Sequence, residues 1–130
     1  MIDSHAKILV VDDFSTMRRI VKLTLKQMGY EHIVEAESGD EAQTLLKEDG
    51  PFGFVVCDWN MPGLSGIELL RWMRQTDRVR DVPFVMVTAE SKREKIVEAI
   101  QAGVTSYVVK PFNKQRLAEK IQAVTGRSAA

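Results

Sequence analysis

Ile8-Leu9-Val10-Val11-Asp12-Asp13 is a short β-branched apolar run that ends in two carboxylates. A run of this kind, closed by polar turn residues, reads as a buried strand. Three further segments repeat the pattern: Phe54-Val55-Val56-Cys57 runs into Asp58, Phe84-Val85-Met86-Val87 into Thr88, and Tyr107-Val108-Val109 into Lys110. If all four are parallel, their carboxyl ends share one edge of a sheet, where open α/β sheets bind ligands. Three carboxylates, one hydroxyl and one ammonium then converge on a single pocket.

Working outward, helical patterns separate the strands, which implies βαβ units and a parallel sheet. Met17, Ile20, Val21, Thr24, Leu25 and Met28 follow a helix-face spacing, and Gly29 stands where a helix stop belongs. A further strand is expected over residues 33–36. Its following helix carries Ala42, Leu45 and Leu46 before the Gly50-Pro51 breaker. Asn60-Met61-Pro62-Gly63 forces a loop, and Ile67, Leu70 and Met73 mark the third helix. Pro83 precedes the fourth strand; residues 92–102 form the fourth helix, closed by Gly103. Lys110-Pro111 ends the fifth strand, and Leu117, Ile121 and Val124 mark the last helix. Right-handed crossovers with short connections leave few topologies, the doubly wound open sheet foremost.

Residues 1–130 suit a single domain, large enough for a proper core and too small for two. An apolar fraction of 45% with 28% charged residues is ordinary for a soluble globular protein. No apolar stretch reaches the roughly 20 residues of a membrane span, so no membrane insertion is expected. The first residues lack a signal peptide's basic start and apolar core, and the lone Cys57 excludes an internal disulfide. Both features lead us to expect a reducing, cytoplasmic setting. The net charge of zero hides an asymmetry: residues 1–91 hold 10 Lys/Arg against 15 Asp/Glu, and residues 92–130 hold 8 against 3. A basic end could attract an acidic partner or nucleic acid, although two solvated helices account for the charge equally well.

Crowded carboxylates repel, so at least one should have a raised pKa unless a cation neutralises them. No Cys/His cluster is expected for zinc; His5 and His32 lie far in sequence from these motifs and read as surface residues. Oxygen ligands alone favour a hard cation, and Mg²⁺ typically combines one or two carboxylates with waters and phosphate oxygens. Lys110 and Thr88 supply a positive charge and a hydroxyl for phosphoryl oxygens. The chain has no glycine-rich phosphate loop, and Asp12 and Asp13 would repel a flavin phosphate, which argues against nucleotide and flavin binding. What remains is Asp as a nucleophile that forms an aspartyl phosphate. A polar residue after a strand is often only a helix N-cap, and Trp59 and Tyr107 could serve packing alone. Capping does not account for acids after the first and third strands together with Lys-Pro after the fifth.

These residues resemble the receiver domains of two-component response regulators, and most closely the stand-alone chemotaxis receivers. The resemblance runs over residues 8–124. It rests on Val10-Val11-Asp12-Asp13-Phe14-Ser15-Thr16-Met17-Arg18-Arg19, Asp58-Trp59-Asn60-Met61-Pro62-Gly63, Met86-Val87-Thr88-Ala89-Glu90 and Tyr107-Val108-Val109-Lys110-Pro111-Phe112, in that order. The resemblance implies a flavodoxin-like (βα)5 fold with parallel strand order 2-1-3-4-5. By the same resemblance, Asp58 is the phosphoacceptor. Asp13, Asp58 and the main-chain carbonyl of Asn60 bind Mg²⁺, and Asp12 acts largely through coordinated water. Lys110 pairs with phosphoryl oxygens, and Lys110-Pro111 is a cis peptide. Thr88 and Tyr107 form the switch pair: the hydroxyl moves to the phosphoryl group and the ring turns inward. Asn60 and Glu90 tune how fast the group is lost.

The implied function is a signalling switch, not a turnover enzyme: it accepts a phosphoryl group from a chemotaxis histidine kinase and loses it by self-catalysed hydrolysis. The face of the fourth helix, fifth strand and fifth helix would then bind the flagellar motor switch protein and alter rotation. A dedicated phosphatase is a further partner the resemblance allows. No effector domain, no nucleic-acid partner and a monomeric state are expected. One rival is a haloacid-dehalogenase-like phosphatase, which pairs its nucleophile with an acid two residues on; here that residue is Asn60. A second is a phosphorelay carrier or phosphate sink, whose site would look the same.

Overall fold

All five apolar runs are strands, and the elements alternate without exception along the described chain. The computed structural model describes residues 2–126. In chain order the elements are β1 (Lys7–Val11), α1 (Ser15–Gln27), β2 (His32–Ala36), α2 (Gly39–Glu48), β3 (Phe54–Cys57), α3 (Gly66–Arg74), β4 (Phe84–Thr88), α4 (Arg93–Gln101), β5 (Ser106–Val109) and α5 (Lys114–Thr125). The expected bounds are met to within a residue for the strands. β1, β2 and β5 each start one residue early, and Thr88 closes β4 from inside the strand.

The strands form one parallel sheet in the order β2-β1-β3-β4-β5, the doubly wound arrangement the resemblance implied. Alternate residues face opposite sides of the sheet. Ile8, Val10, Phe54, Val56, Val85 and Val87 pack with Val21 and Leu25 of α1 and with Leu117 and Ile121 of α5. Leu9, Val11, Val55, Cys57, Phe84 and Met86 pack on the other side with Leu46 of α2, Leu70 of α3 and Ala99 of α4. Burial on both faces is why these strands read as unbroken apolar runs.

Local chemistry sets the helix ends. Ser38 accepts the Glu41 amide at the start of α2, Ser65 and Glu68 make a reciprocal capping box on α3, and Asn113 accepts the Arg116 amide on α5. Gly29 and Gly103 have φ of 99° and 95°, the left-handed backbone expected just past α1 and α4.

One expected helix face is corrected. Ile20, placed on the buried stripe of α1, is 40% exposed, while Arg18 is buried with Val21, Thr24 and Leu25. The guanidinium can occupy the inner position because it meets three acceptors there, described below; a buried cation without them would be costly.

Candidate functional site

Backbone pairing sets the site before any side chain does. Register aligns Val11 with both Ala36 and Cys57. The ladder then continues one step past the strands: the Asp12 amide donates to the Ala36 carbonyl at 3.1 Å, and the Asp58 amide to the Val11 carbonyl at 3.0 Å. Asp12 and Asp58 therefore stand side by side at the carboxyl edge, between β1 and β3, where the strand order reverses. On the far side, the Lys110 amide donates to the Thr88 carbonyl at 2.8 Å, which fixes the end of β5 against β4. The Lys110-Pro111 peptide is cis, as expected; Gly50-Pro51 is cis as well, which the sequence reading did not anticipate.

Asp12, Asp13 and Asp58 each present a carboxylate oxygen, and the three oxygens lie within 4.8 Å of one another. Asp12 and Asp58 are buried and Asp13 is exposed. The Lys110 ammonium lies 3.3 Å from Asp12 Oδ2 and 3.3 Å from Asp58 Oδ2, so one cation bridges two buried carboxylates. The other oxygens of those two acids are held by main chain: the Phe14 amide donates to Asp12 Oδ1 at 2.9 Å, and the Trp59 amide to Asp58 Oδ1 at 2.7 Å. Burial raises the pKa of Asp12 from its ordinary value, the Asp58 charge adds to this, and the Phe14 amide and Lys110 oppose it. Beside them, burial and the same two acids push the Cys57 thiol well up, so it is a neutral core residue without thiolate character.

The capping explanation for these polar residues fails on geometry. The N-cap of α1 is Phe14 and that of α4 is Lys92, neither with a side-chain cap.

Glu90 joins the expected switch pair, Thr88 and Tyr107, to its own expected partner Asn60. Its amide donates to Thr88 Oγ1 at 3.2 Å, its carbonyl accepts from the Tyr107 hydroxyl at 2.6 Å, and its carboxylate accepts from Asn60 Nδ2 at 2.8 Å. Thr88 is fully buried. The Tyr107 phenol is pushed up to about 12 by burial, with the Glu90 and Asp58 charges adding to it, so it remains a hydrogen-bond donor. Its ring is partly buried and packs against the core on the α2–α4 side.

Three supporting residues were missed in the sequence. Arg18 donates from Nη1 to the Asp12 carbonyl at 2.7 Å and pairs with Glu35 at 3.0 Å and Glu37 at 3.6 Å. Its signal was an arginine in register with Val21 and Leu25 on the inner stripe of α1. Gly66 donates its amide to the Trp59 carbonyl at 2.8 Å, and a Cβ there would come within 2.0 Å of the Asp58 carbonyl oxygen. Lys95 places its ammonium 5.0 Å from the centre of the Trp59 ring, which is itself buried.

The expectation that no histidine cluster exists is also corrected. His5 and His32 are exposed, as expected, yet the structure brings them together with Glu31, with ligand atoms within 4.8 Å of one another. Parallel pairing of β1 with β2, which sets Lys7 against His32, closes the sequence gap.

Comparison with known proteins points one way. The chain is 54% identical over 121 residues to the chemotaxis protein CheY of Pseudomonas aeruginosa, covering 93% of this chain and 97% of that one. It is 50% identical over 127 residues to chemotaxis protein CheY-3 of Vibrio cholerae, covering 98% and 97% respectively. Among solved structures, the chemotaxis response regulator CheY4 of Vibrio cholerae superposes with a TM-score of 0.84 at 34% identity, over 92% of this chain and 98% of that one. Residues 8–122 fit the family model of the response regulator receiver domain, and the chain belongs to that family.

Proposed function

We propose that this response regulator is a chemotaxis switch in which Asp58 accepts a phosphoryl group from a histidine kinase. Support comes above all from one observation: the Lys110 ammonium is 3.3 Å from both Asp12 and Asp58, at the edge where the three carboxylates meet. The relatives named above are chemotaxis proteins, which favours that pathway over other two-component outputs.

In this reading an Asp58 carboxylate oxygen attacks the phosphorus of a phosphohistidine, the P–N bond breaks, and the imidazole leaves with the electron pair. The oxygen-only donors of Asp12, Asp13 and Asp58 suit a hard divalent cation such as Mg²⁺, with the Asn60 main-chain carbonyl as a further ligand. When bound, such a cation neutralises the carboxylates and the incoming phosphoryl oxygens, the main requirement of phosphoryl transfer. Lys110 shares that task from the protein side. The chain acts as acceptor and self-hydrolysing switch rather than as an enzyme with turnover.

The output follows from Glu90. Turning the Thr88 hydroxyl toward a phosphoryl group on Asp58 withdraws Oγ1 from the Glu90 amide. The loop carrying Glu90 then moves, and with it the carbonyl that holds Tyr107. A local change of charge thus biases the α4–β5–α5 face. That face belongs to the basic part of the chain, and its partner in this reading is the flagellar motor switch protein in the cytoplasm. A dedicated phosphatase would act at the same pocket.

The test is acetyl phosphate with Mg²⁺ on the wild-type protein and on Asp58→Asn. One phosphoryl group per wild-type chain and none on the variant supports the assignment. A phosphoryl group mapped to another residue overturns it.

A further inference from the structure

We propose that His5, Glu31 and His32 form a binding site for one divalent transition metal, Zn²⁺ foremost, at the edge of the sheet opposite the acidic pocket. The site is independent of the phosphoryl chemistry in both place and ligand type. β1 and β2 are parallel and Lys7 pairs with His32, so these residues stand at the amino edge, whereas Asp12 and Asp58 follow the carboxyl ends. The five residues of β1 alone put about 13 Å between the two edges.

The donor set decides the metal. Two imidazoles and one carboxylate suit Zn²⁺, Cu²⁺ or Ni²⁺, whereas carboxylates alone suit Mg²⁺. Three protein ligands also leave a coordination position for water. Ligands of a tetrahedral zinc lie roughly 3.3 Å apart, given metal–ligand bonds of about 2.0–2.2 Å. The ligand atoms here are already within 4.8 Å of one another, and all three side chains are exposed, so their rotation is what has to close the remainder.

The backbones that carry the two imidazoles are held by hydrogen bonds. His32 is the first residue of β2, paired with Lys7 in the sheet. His5 sits in a turn made by Asp3, whose Oδ1 accepts the His5 amide at 2.7 Å and whose carbonyl accepts the Ala6 amide at 3.0 Å. The segment before that turn is tied to the end of α5, where the Ile2 amide donates to the Thr125 carbonyl at 3.0 Å. The two imidazole rings lie 6.4 Å apart, centre to centre, with their planes at 45°. Lys7, the strand partner of His32, turns its ammonium to the Asp49 carbonyl and sits 5.1 Å from the centre of the Phe52 ring. A metal held here joins the segment before β1 to the edge strand β2, and it stabilises the folded chain by mass action.

These are the chain's two histidines, which makes the site simple to test. Zn²⁺ is titrated into the full chain by calorimetry, with the histidine ring resonances followed by NMR, in millimolar Mg²⁺ to occupy oxygen-only sites. The expected result is one Zn²⁺ per chain, shifts of both His5 and His32 rings, and binding weakened in His5→Ala and in His32→Ala by at least the roughly 10- to 100-fold that loss of an outer-shell partner costs. Asp58→Asn should bind Zn²⁺ like wild type. All substituted ligands are on the surface, so the variants should fold. Wild-type affinity in both histidine variants overturns the proposal, as does loss of Zn²⁺ binding in Asp58→Asn.

Discussion

The Tyr107 hydroxyl donates to the Glu90 carbonyl at 2.6 Å, and the amide of the same residue donates to Thr88 Oγ1 at 3.2 Å. The aromatic ring on β5 and the hydroxyl at the end of β4 are therefore coupled through one loop residue. Tyr107→Phe removes the donor and leaves the acidic pocket intact. Acetyl phosphate should modify this variant at the wild-type rate, while the gain in partner affinity on activation falls several-fold. The lost hydrogen bond should cost about 1 kcal/mol in urea unfolding. A full gain in affinity in Tyr107→Phe would remove the ring from the switch.

Asp12 makes a pH prediction. Burial raises its folded pKa, so the folded state holds the proton more tightly than the unfolded chain does. Its contribution to stability is complete below the ordinary carboxylate value of about 3.9 and is lost as pH rises through the raised value. Asp12→Asn keeps an acceptor for the Phe14 amide and carries no charge. Without divalent cations the variant should melt a few degrees above wild type at pH 7, the difference vanishing in acid. It should also bind Mg²⁺ more weakly. An Asn variant that melts lower at pH 7 would mean that the Lys110–Asp12 pairing outweighs the burial cost.

Lys110→Ala should still accept a phosphoryl group, since Asp58 and the other two carboxylates remain, but it should signal poorly. Rates of labelling and activation-dependent partner binding separate the two effects. Normal binding in the labelled variant would show that Lys110 has no part in the switch.

Gly66 tests the support beneath the acceptor. A Cβ at this position would meet the Asp58 carbonyl oxygen at 2.0 Å and its carbonyl carbon at 2.9 Å. Both are backbone atoms, which cannot rotate away. Gly66→Ala should lower stability by about 1–3 kcal/mol and slow labelling of Asp58. A variant that melts and labels like wild type would show that the backbone under Asp58 yields.

Trp59 offers an optical reading of the metal site. Its amide is bonded to Asp58 Oδ1 at 2.7 Å and its ring lies under Lys95. In a Trp72→Phe background, which leaves Trp59 as the one tryptophan, Mg²⁺ should change the fluorescence with saturation. A flat titration would count against cation binding at Asp12, Asp13 and Asp58.

The strands were legible because burial on both faces makes them continuous apolar runs, and the polar residues that end them marked the site. Periodicity could not give the strand order, which came with the family resemblance. It also misplaced Ile20, because a hydrophobic count cannot foresee that Arg18 finds the Asp12 carbonyl and two glutamates on the inner face of α1. The Glu90 contacts were hidden for a different reason. Two of the three use its main chain, and nothing in a residue's identity announces which carbonyl a tyrosine will reach. His5 and His32 met only through strand register, a long-range property that local patterns do not carry.

Chemistry at Asp58 should change the α4–β5–α5 face. The most direct measurement is the affinity of the motor switch protein's N-terminal peptide, with Mg²⁺ alone and with Mg²⁺ plus beryllofluoride as a phosphoryl mimic. Markedly tighter binding with the mimic is expected, and no change in Asp58→Asn. Equal affinity with and without the mimic, in a protein whose Trp59 signal shows the mimic bound, would contradict the motor output and leave a relay or sink in its place.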